Sequence, residues 1–176
     1  MIYEPSEDSF LLAEQVKKYA RNKSVLDIGS GSGIQAFTAL ENGAKDVLAI
    51  DINRSAVKEL RKKGLNAVQS DLFSNVKGKF YLIIFNPPYL PFDSREDNES
   101  SKVTSGGKKG DEIIIKFLRQ VKDYLDDKGI ILLVVSSLTP QKRIIKIFKE
   151  EGLTKKVLAN KKLFMEELQV WEIKKK

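Results

Sequence analysis

The sequence predicts an α/β fold, a mostly parallel sheet with helices on both faces and an antiparallel hairpin at its C-terminal end. Short β-branched runs alternate with stretches of helical periodicity along the 176 residues. A glycine-rich loop joins the first such run to a helix. Three successive strand ends carry an aspartate, Asp27, Asp51 and Asp71, on the carboxyl side where open α/β sheets bind ligands. The length suits one domain, residues 1–176.

Each element has its own signal. Within residues 1–22, Asp8 to Ala20 place Phe10, Leu11, Leu12, Val16 and Tyr19 near helical spacing, with Ser6 or Asp8 available as N-cap. Ser24 to Ile28 is a short strand that breaks into Gly29-Ser30-Gly31-Ser32-Gly33, and Ile34 to Asn42 follows as a helix. Asp46 to Ile50 is the second strand, Arg54 to Lys63 a helix capped by Asn53, and Asn66 to Gln69 the third strand. Tyr81 to Phe85 forms the fourth and runs into Asn86-Pro87-Pro88-Tyr89. The polar stretch Leu90 to Gly110 follows, and a loop of about twenty residues inside a compact domain reads as a substrate lid. Asp111 opens an amphipathic helix through Ile114, Ile115, Leu118, Val121 and Leu125, ended by Gly129; Ile130 to Val135 is a buried strand. Pro140 takes the first position of a helix to Glu151, and Leu153 to Ala159 and Phe164 to Ile173 form a hairpin turning at Asn160-Lys161-Lys162.

Composition removes whole chemistries. Hydrophobic residues at 41% and charged residues at 31% describe a globular chain, with no apolar run near the roughly 18 residues of a membrane span. The acidic start lacks a signal-peptide pattern, which with zero cysteines points to the cytoplasm. Without cysteine or histidine there is no thiolate nucleophile, no histidine base and no thiolate or imidazole metal site, so no metal is expected. What remains is carboxylates, amides, hydroxyls or a cofactor. The net charge of +7 would suit an acidic partner such as RNA or a ribosome-associated protein. Its lysines and arginines, however, spread along helix faces (Lys17, Lys18, Arg61 to Lys63, Lys142, Arg143, Lys146, Lys149) and read mainly as solvated surface.

The motifs supply a nucleoside site. Gly29, Gly31 and Gly33 let a ligand approach the backbone at a helix N-terminus, but Ile34 stands where a dinucleotide fingerprint needs its last glycine, so no pyrophosphate site is implied. Asp51 is placed to accept from both ribose hydroxyls, and Asp71 to meet an adenine amino group while Leu72 packs on the ring. At Asn86, two prolines fix the backbone and remove donors, leaving an amide and free carbonyls to point outward. The bland reading of this stretch is a surface turn after a core strand; beside a nucleoside site, it is a candidate clamp for a planar amine.

The order and spacing of YEPSEDSFLL, LDIGSGSG, IDIN, SDLF, FNPPY and Gly106-Gly107-x-x-Gly110 resemble the HemK-like protein-glutamine N5-methyltransferases, class I enzymes that use S-adenosylmethionine (SAM). The short archaeal and eukaryotic branch modifies the GGQ glutamine of class 1 release factors. The resemblance covers Tyr3 to about Trp171. It implies that Gly29, Gly31 and Gly33 surround the methionine part of SAM, that Asp27 holds its amino group, and that Asp51 and Ile52 bind the ribose side. Asp71 and Leu72 would bind adenine, and Ser9, with Glu7 or Asp8, would close over the cofactor. Asn86, with the Pro87 carbonyl, would accept the two N–H bonds of the substrate amide while Tyr89 packs on its plane. The resemblance further implies a small zinc-binding activator at the third-strand edge. Where this family often has an acidic residue before the last glycine of Gly106 to Gly110, this chain has Lys109. The Asn-Pro-Pro-Tyr turn is shared with nucleic-acid amino-methyltransferases, so a flipped base is the alternative substrate. A non-catalytic SAM-fold subunit is a third reading.

Overall fold

The structure is a computed structural model that describes residues 4–89 and 105–176. Most of the stretch expected to form a lid, through residue 104, lies outside the described residues.

After helix α1 (Glu7–Tyr19) the chain alternates through β1 (Ser24–Ile28), α2 (Ile34–Glu41), β2 (Asp46–Asp51), α3 (Arg54–Lys62), β3 (Ala67–Gln69) and β4 (Phe80–Phe85). It continues with α4 (Glu112–Gln120), β5 (Leu125–Ser136), α5 (Gln141–Glu151), β6 (Leu153–Leu163) and β7 (Glu166–Lys175). The strands form one seven-stranded sheet in the order β3-β2-β1-β4-β5-β7-β6. Pairings from β3 to β5 are parallel, and β7 runs antiparallel to both its neighbours. This is the expected mixed α/β class.

Strand order reverses at β1, which pairs with β2 on one side and β4 on the other. Ile28 lies opposite both Ile50 and Phe85, and Asp51 opposite Gln69. The glycine loop, Asp51, Ser70 to Leu72, and Asn86 therefore all leave the sheet along one edge, at the switch point where such folds bind ligands.

The period-2 alternation of the strands builds two cores. In β4, Ile83 and Phe85 face α4 and α5 with Phe117, Leu118, Ile144 and Phe148, while Leu82 and Ile84 face α1 to α3 with Leu12, Val16 and Leu60. All four strand residues are at most 2% exposed, so continuous apolar runs mark strands covered on both faces. Trp171 of β7 is fully buried in the first core, its ring 6.1 Å from Phe148 and beneath Lys155 Nζ at 3.4 Å from the centroid.

Three expectations need correction. The helix after Asp111 ends at Gln120, a 3-10 turn spans Val121–Asp123, and Leu125 already belongs to β5. Phe80 N donates to Tyr124 O and Phe80 pairs with Leu125 before the register shifts, so the apolar spacing of Val121 and Leu125 is shared between a turn and a strand. Gly129 is accordingly no helix stop. It sits at that irregularity, where a Cβ would lie 3.0 Å from Tyr81 O. The hairpin turns at Phe164–Met165, between the paired Leu163 and Glu166, not at Asn160 to Lys162. Those polar residues lie in β6, an edge strand where exposed lysines oppose further pairing, and so mimic a loop. Pro140 precedes α5 in an extended conformation (ψ 108°), one position before the helix.

Candidate active site

At the β1–β2 edge the loop is tied by backbone donors. Asp51 accepts from Gly31 N through Oδ2 and from Asn53 N through Oδ1, each at 2.8 Å. Each oxygen keeps a lone pair, and the residue is partly exposed, so ribose hydroxyls could still be accepted. Gly33 has a different duty from its two partners. It caps α2 at φ 90°, and a Cβ there would come within 2.6 Å of Leu60 Cδ2, so this glycine lets α2 and α3 close together. Around Gly29 the nearest atom to such a Cβ, Phe85 Cε2, is 3.8 Å away.

Asp27 lies beneath this loop at 2% exposure, and its Oδ2 has no hydrogen-bond partner. Burial pushes its carboxyl up to about 7, against the Ser30 hydroxyl and the Ala36 backbone that favour the charged form, with the Asp51 charge adding a further upward push. An orphaned buried carboxylate oxygen is what an ammonium group would satisfy, so the donor set fits the amino-acid end of SAM. Further along the edge, Asp71 is half-exposed and pairs with Lys116 of α4 at 2.9 Å. Leu72 adopts φ 48° and is 8% exposed, its side chain turned into the core beside Phe73. What it can offer a ring is its backbone and the little surface that remains, whereas Ile52, 67% exposed, stands open to solvent.

The β4 end is built through α1. Ser6 Oγ donates to Asp8 Oδ1 at 2.9 Å, and Ser9 donates to the same oxygen from N at 2.6 Å and Oγ at 3.2 Å. Asp8 Oδ2 accepts from Asn86 Nδ2 at 3.1 Å and Tyr89 Oη at 3.3 Å. Asn86 Oδ1 is buried without a partner. Pro87 is buried, and Pro88 O is approached so closely by Gly106 that a Cβ there would lie 2.6 Å away. Thr139 Oγ1 donates to Tyr89 O at 3.2 Å, bracing the turn from the end of β5.

Ser9 thus reaches both halves of the site, Asn86 through Asp8 and the glycine loop through Gln35, whose Nε2 donates to Ser9 O at 2.9 Å. Glu7 is exposed and pairs with Lys161 of β6, away from this network. Lys109 N donates to the Glu112 carboxylate at the start of α4, at 3.2 Å. Gln35 and Lys116 carry no sequence motif; each is an ordinary helix residue until the fold is known.

A parallel sheet with this switch point, a glycine cradle, an orphaned carboxylate beneath it and an amide acceptor beside it define a class I SAM-dependent methyltransferase. The methyltransferase small domain model matches residues 6–165. A Methanocaldococcus jannaschii protein provisionally named protein N5-glutamine methyltransferase is 39% identical over 96% of this chain and 89% of its own. Human methyltransferase HEMK2 is 32% identical over 86% of this chain and 79% of its own. Among solved structures, the E. cuniculi Mtq2-Trm112 complex, described as responsible for methylation of the eRF1 translation termination factor, aligns with a TM-score of 0.81 and 25% identity over 99% of each chain. The chain belongs to the methyltransferase small-domain family and, within it, to the HemK-like protein-glutamine N5-methyltransferases.

Proposed function

We propose that this protein methylates the side-chain amide nitrogen of the GGQ glutamine of a class 1 translation release factor. The observation that carries the reading is Asn86 Oδ1, a buried acceptor with no partner at the end of β4. An amide nitrogen is a poor nucleophile because its lone pair is delocalised, so positioning must do most of the catalysis. Asn86 Oδ1 and the Pro87 carbonyl accept the two N–H bonds of the substrate amide, aiming the nitrogen and stabilising the positive charge that develops there. Tyr89 packs on the amide plane. SAM supplies an electrophilic methyl on its sulfonium. Asp27 holds its amino group, Gly29 and Gly31 its methionine part, Asp51 and Ile52 the ribose side, and Asp71 with Leu72 the adenine. Ser9 closes this side from α1. The nitrogen releases its extra proton to water after transfer, and no histidine or cysteine is required.

Supporting the substrate assignment are the names of the relatives, which include an eRF1 methyltransferase catalytic subunit of Schizosaccharomyces pombe and a release factor glutamine methyltransferase of Lactococcus lactis. The same reading includes a small partner protein at β3, the strand at one end of the sheet order, where the Ala67 and Gln69 carbonyls accept from the Arg61 and Asn75 side chains rather than from another strand. That a similar chain is seen in complex with Trm112 supports it. The test is transfer from labelled SAM to release factor and, separately, to total RNA, with and without the candidate partner. Label in the release factor, lost when its GGQ glutamine is replaced, is expected; label in RNA alone would overturn the assignment.

A further inference from the structure

We infer that Asp8 is a positioning residue for methyl transfer: it sets which face of the Asn86 amide meets the substrate. This rests on the reading of Asn86 as acceptor for the substrate N–H bonds. The oxygen and nitrogen of an asparagine amide are nearly isosteric, so the side chain alone could present either one to the site. Only the oxygen suits a substrate that brings N–H donors; the flipped amide would meet them donor to donor. Asp8 removes the choice. It is 2% exposed, and both its oxygens accept hydrogen bonds, so Asn86 turns Nδ2 toward it in the 3.1 Å bond. Oδ1 is then left buried and without a partner. The same Oδ2 holds the Tyr89 hydroxyl at 3.3 Å, so one carboxylate fixes two residues of the turn. Its other oxygen is held by Ser6 and by both polar groups of Ser9, which anchors it to α1. A carboxylate drawing on the Nδ2–H bond also pushes charge toward Oδ1 and strengthens it as an acceptor.

The geometry makes an unusual demand of the variants. In Asp8→Asn, the side facing Ser6 and Ser9 meets donors and takes the new oxygen. The new NH2 therefore faces Asn86 and Tyr89, and Asn86 flips to accept it, presenting its own NH2 to the site. In Asp8→Ala, Asn86 is merely released and samples both orientations. The isosteric change should thus be the more damaging at saturating SAM, with kcat reduced about 100-fold in Asp8→Asn and less in Asp8→Ala, whatever the change in SAM affinity through Ser9. A purely structural role predicts the opposite order, because truncation leaves a cavity and the isostere does not.

The experiment measures kcat and SAM dissociation constants for the two variants against wild type, with thermal melts to establish that both are folded. Asp8→Asn retaining more activity than Asp8→Ala, or a loss confined to SAM affinity, would overturn the inference. A second measurement needs no turnover and so stands apart from the substrate assignment. Solvent exchange of the Asn86 side-chain NH2, followed by NMR in the SAM-loaded protein, is expected to quicken about tenfold in Asp8→Ala. Unchanged exchange would sink the proposal even where the release factor is methylated. Exchange that quickens as expected in a protein that leaves the release factor unmodified would uphold Asp8 and remove the substrate reading.

Discussion

The two ends of the functional edge are assembled in different ways. Around β1 and β2 the polar groups are held by nearby backbone, with Asp51 bonded to Gly31 N and Asn53 N, and Ser30 N to Ile50 O. At the end of β4 the decisive bonds are side chain to side chain, joining Asn86 and Tyr89 to an aspartate 78 and 81 residues earlier in the chain. A cradle made of local backbone tolerates many side chains and can be shared among methyltransferases. A clamp made of distant side chains depends on α1 being docked. Cofactor binding and substrate orientation should therefore be separable by mutation.

The largest expected effect breaks the clamp alone. Asn86→Ala should lower kcat by about 10²- to 10³-fold while leaving the SAM dissociation constant unchanged, as read by single-turnover kinetics and calorimetry. Retained turnover would mean that the β4 end does not hold the reacting nitrogen.

The next effect sharpens the other end. Asp27 must be ionised to pair with an ammonium group, and in the cofactor-free fold its carboxyl titrates at about 7. SAM affinity should rise about fivefold from pH 6 to pH 7 and about tenfold by pH 8, with a proton released on binding below pH 7, measurable by calorimetry in buffers of different ionisation enthalpy. Asp27→Asn should weaken binding and abolish the dependence. For the free protein the sign is reversed. The fold retains on Asp27 a proton that the unfolded chain has lost, so this group's contribution to stability falls as pH rises from about 4 to about 7.

Smaller still is a change that touches neither end directly. Gly33→Ala places a Cβ 2.6 Å from Leu60 at a positive φ and should cost about 1–3 kcal/mol of stability in chemical denaturation, with SAM affinity reduced through displacement of the loop. The smallest effect belongs to the hairpin turn. Met165 sits at φ 61° and is 82% exposed, so Met165→Asn, a residue that tolerates this conformation, should gain about 0.5 kcal/mol with no change in kinetics.

This contrast also explains what the sequence could reveal. The placement of the cradle residues was legible because each part is local: a glycine loop between a strand and a helix, and aspartates at strand ends, can be located without knowing which strands are neighbours. Asn86 was legible for the same reason, as a strand terminus stiffened by two prolines. Its tie to Asp8 was not, because nothing in a linear pattern records that the first turn of α1 reaches the end of β4. In the sequence Asp8 reads as a helix cap or as a neighbour of Ser9 over the cofactor, not as a partner of Asn86. The errors at Gly129 and at Asn160 to Lys162 have a related cause. Each stretch has loop-like composition, yet it lies within a paired strand, β5 against β4 for Gly129 and β6 against the adjacent β7 for Asn160 to Lys162.

The placement of Trp171 carries a practical consequence. It is the chain's only tryptophan, fully buried between β5, β6 and α5, with Nε1 donating to Gln169 Oε1 at 2.8 Å. Its emission is therefore a private optical signal of the C-terminal hairpin, and it should be blue-shifted in the folded state and move to the red on unfolding. Because neither the glycine loop nor the Asn86 turn lies among its packing neighbours, titration with SAM should leave that emission where it is, and a fluorescence melt will report the integrity of the scaffold independently of what the site has bound.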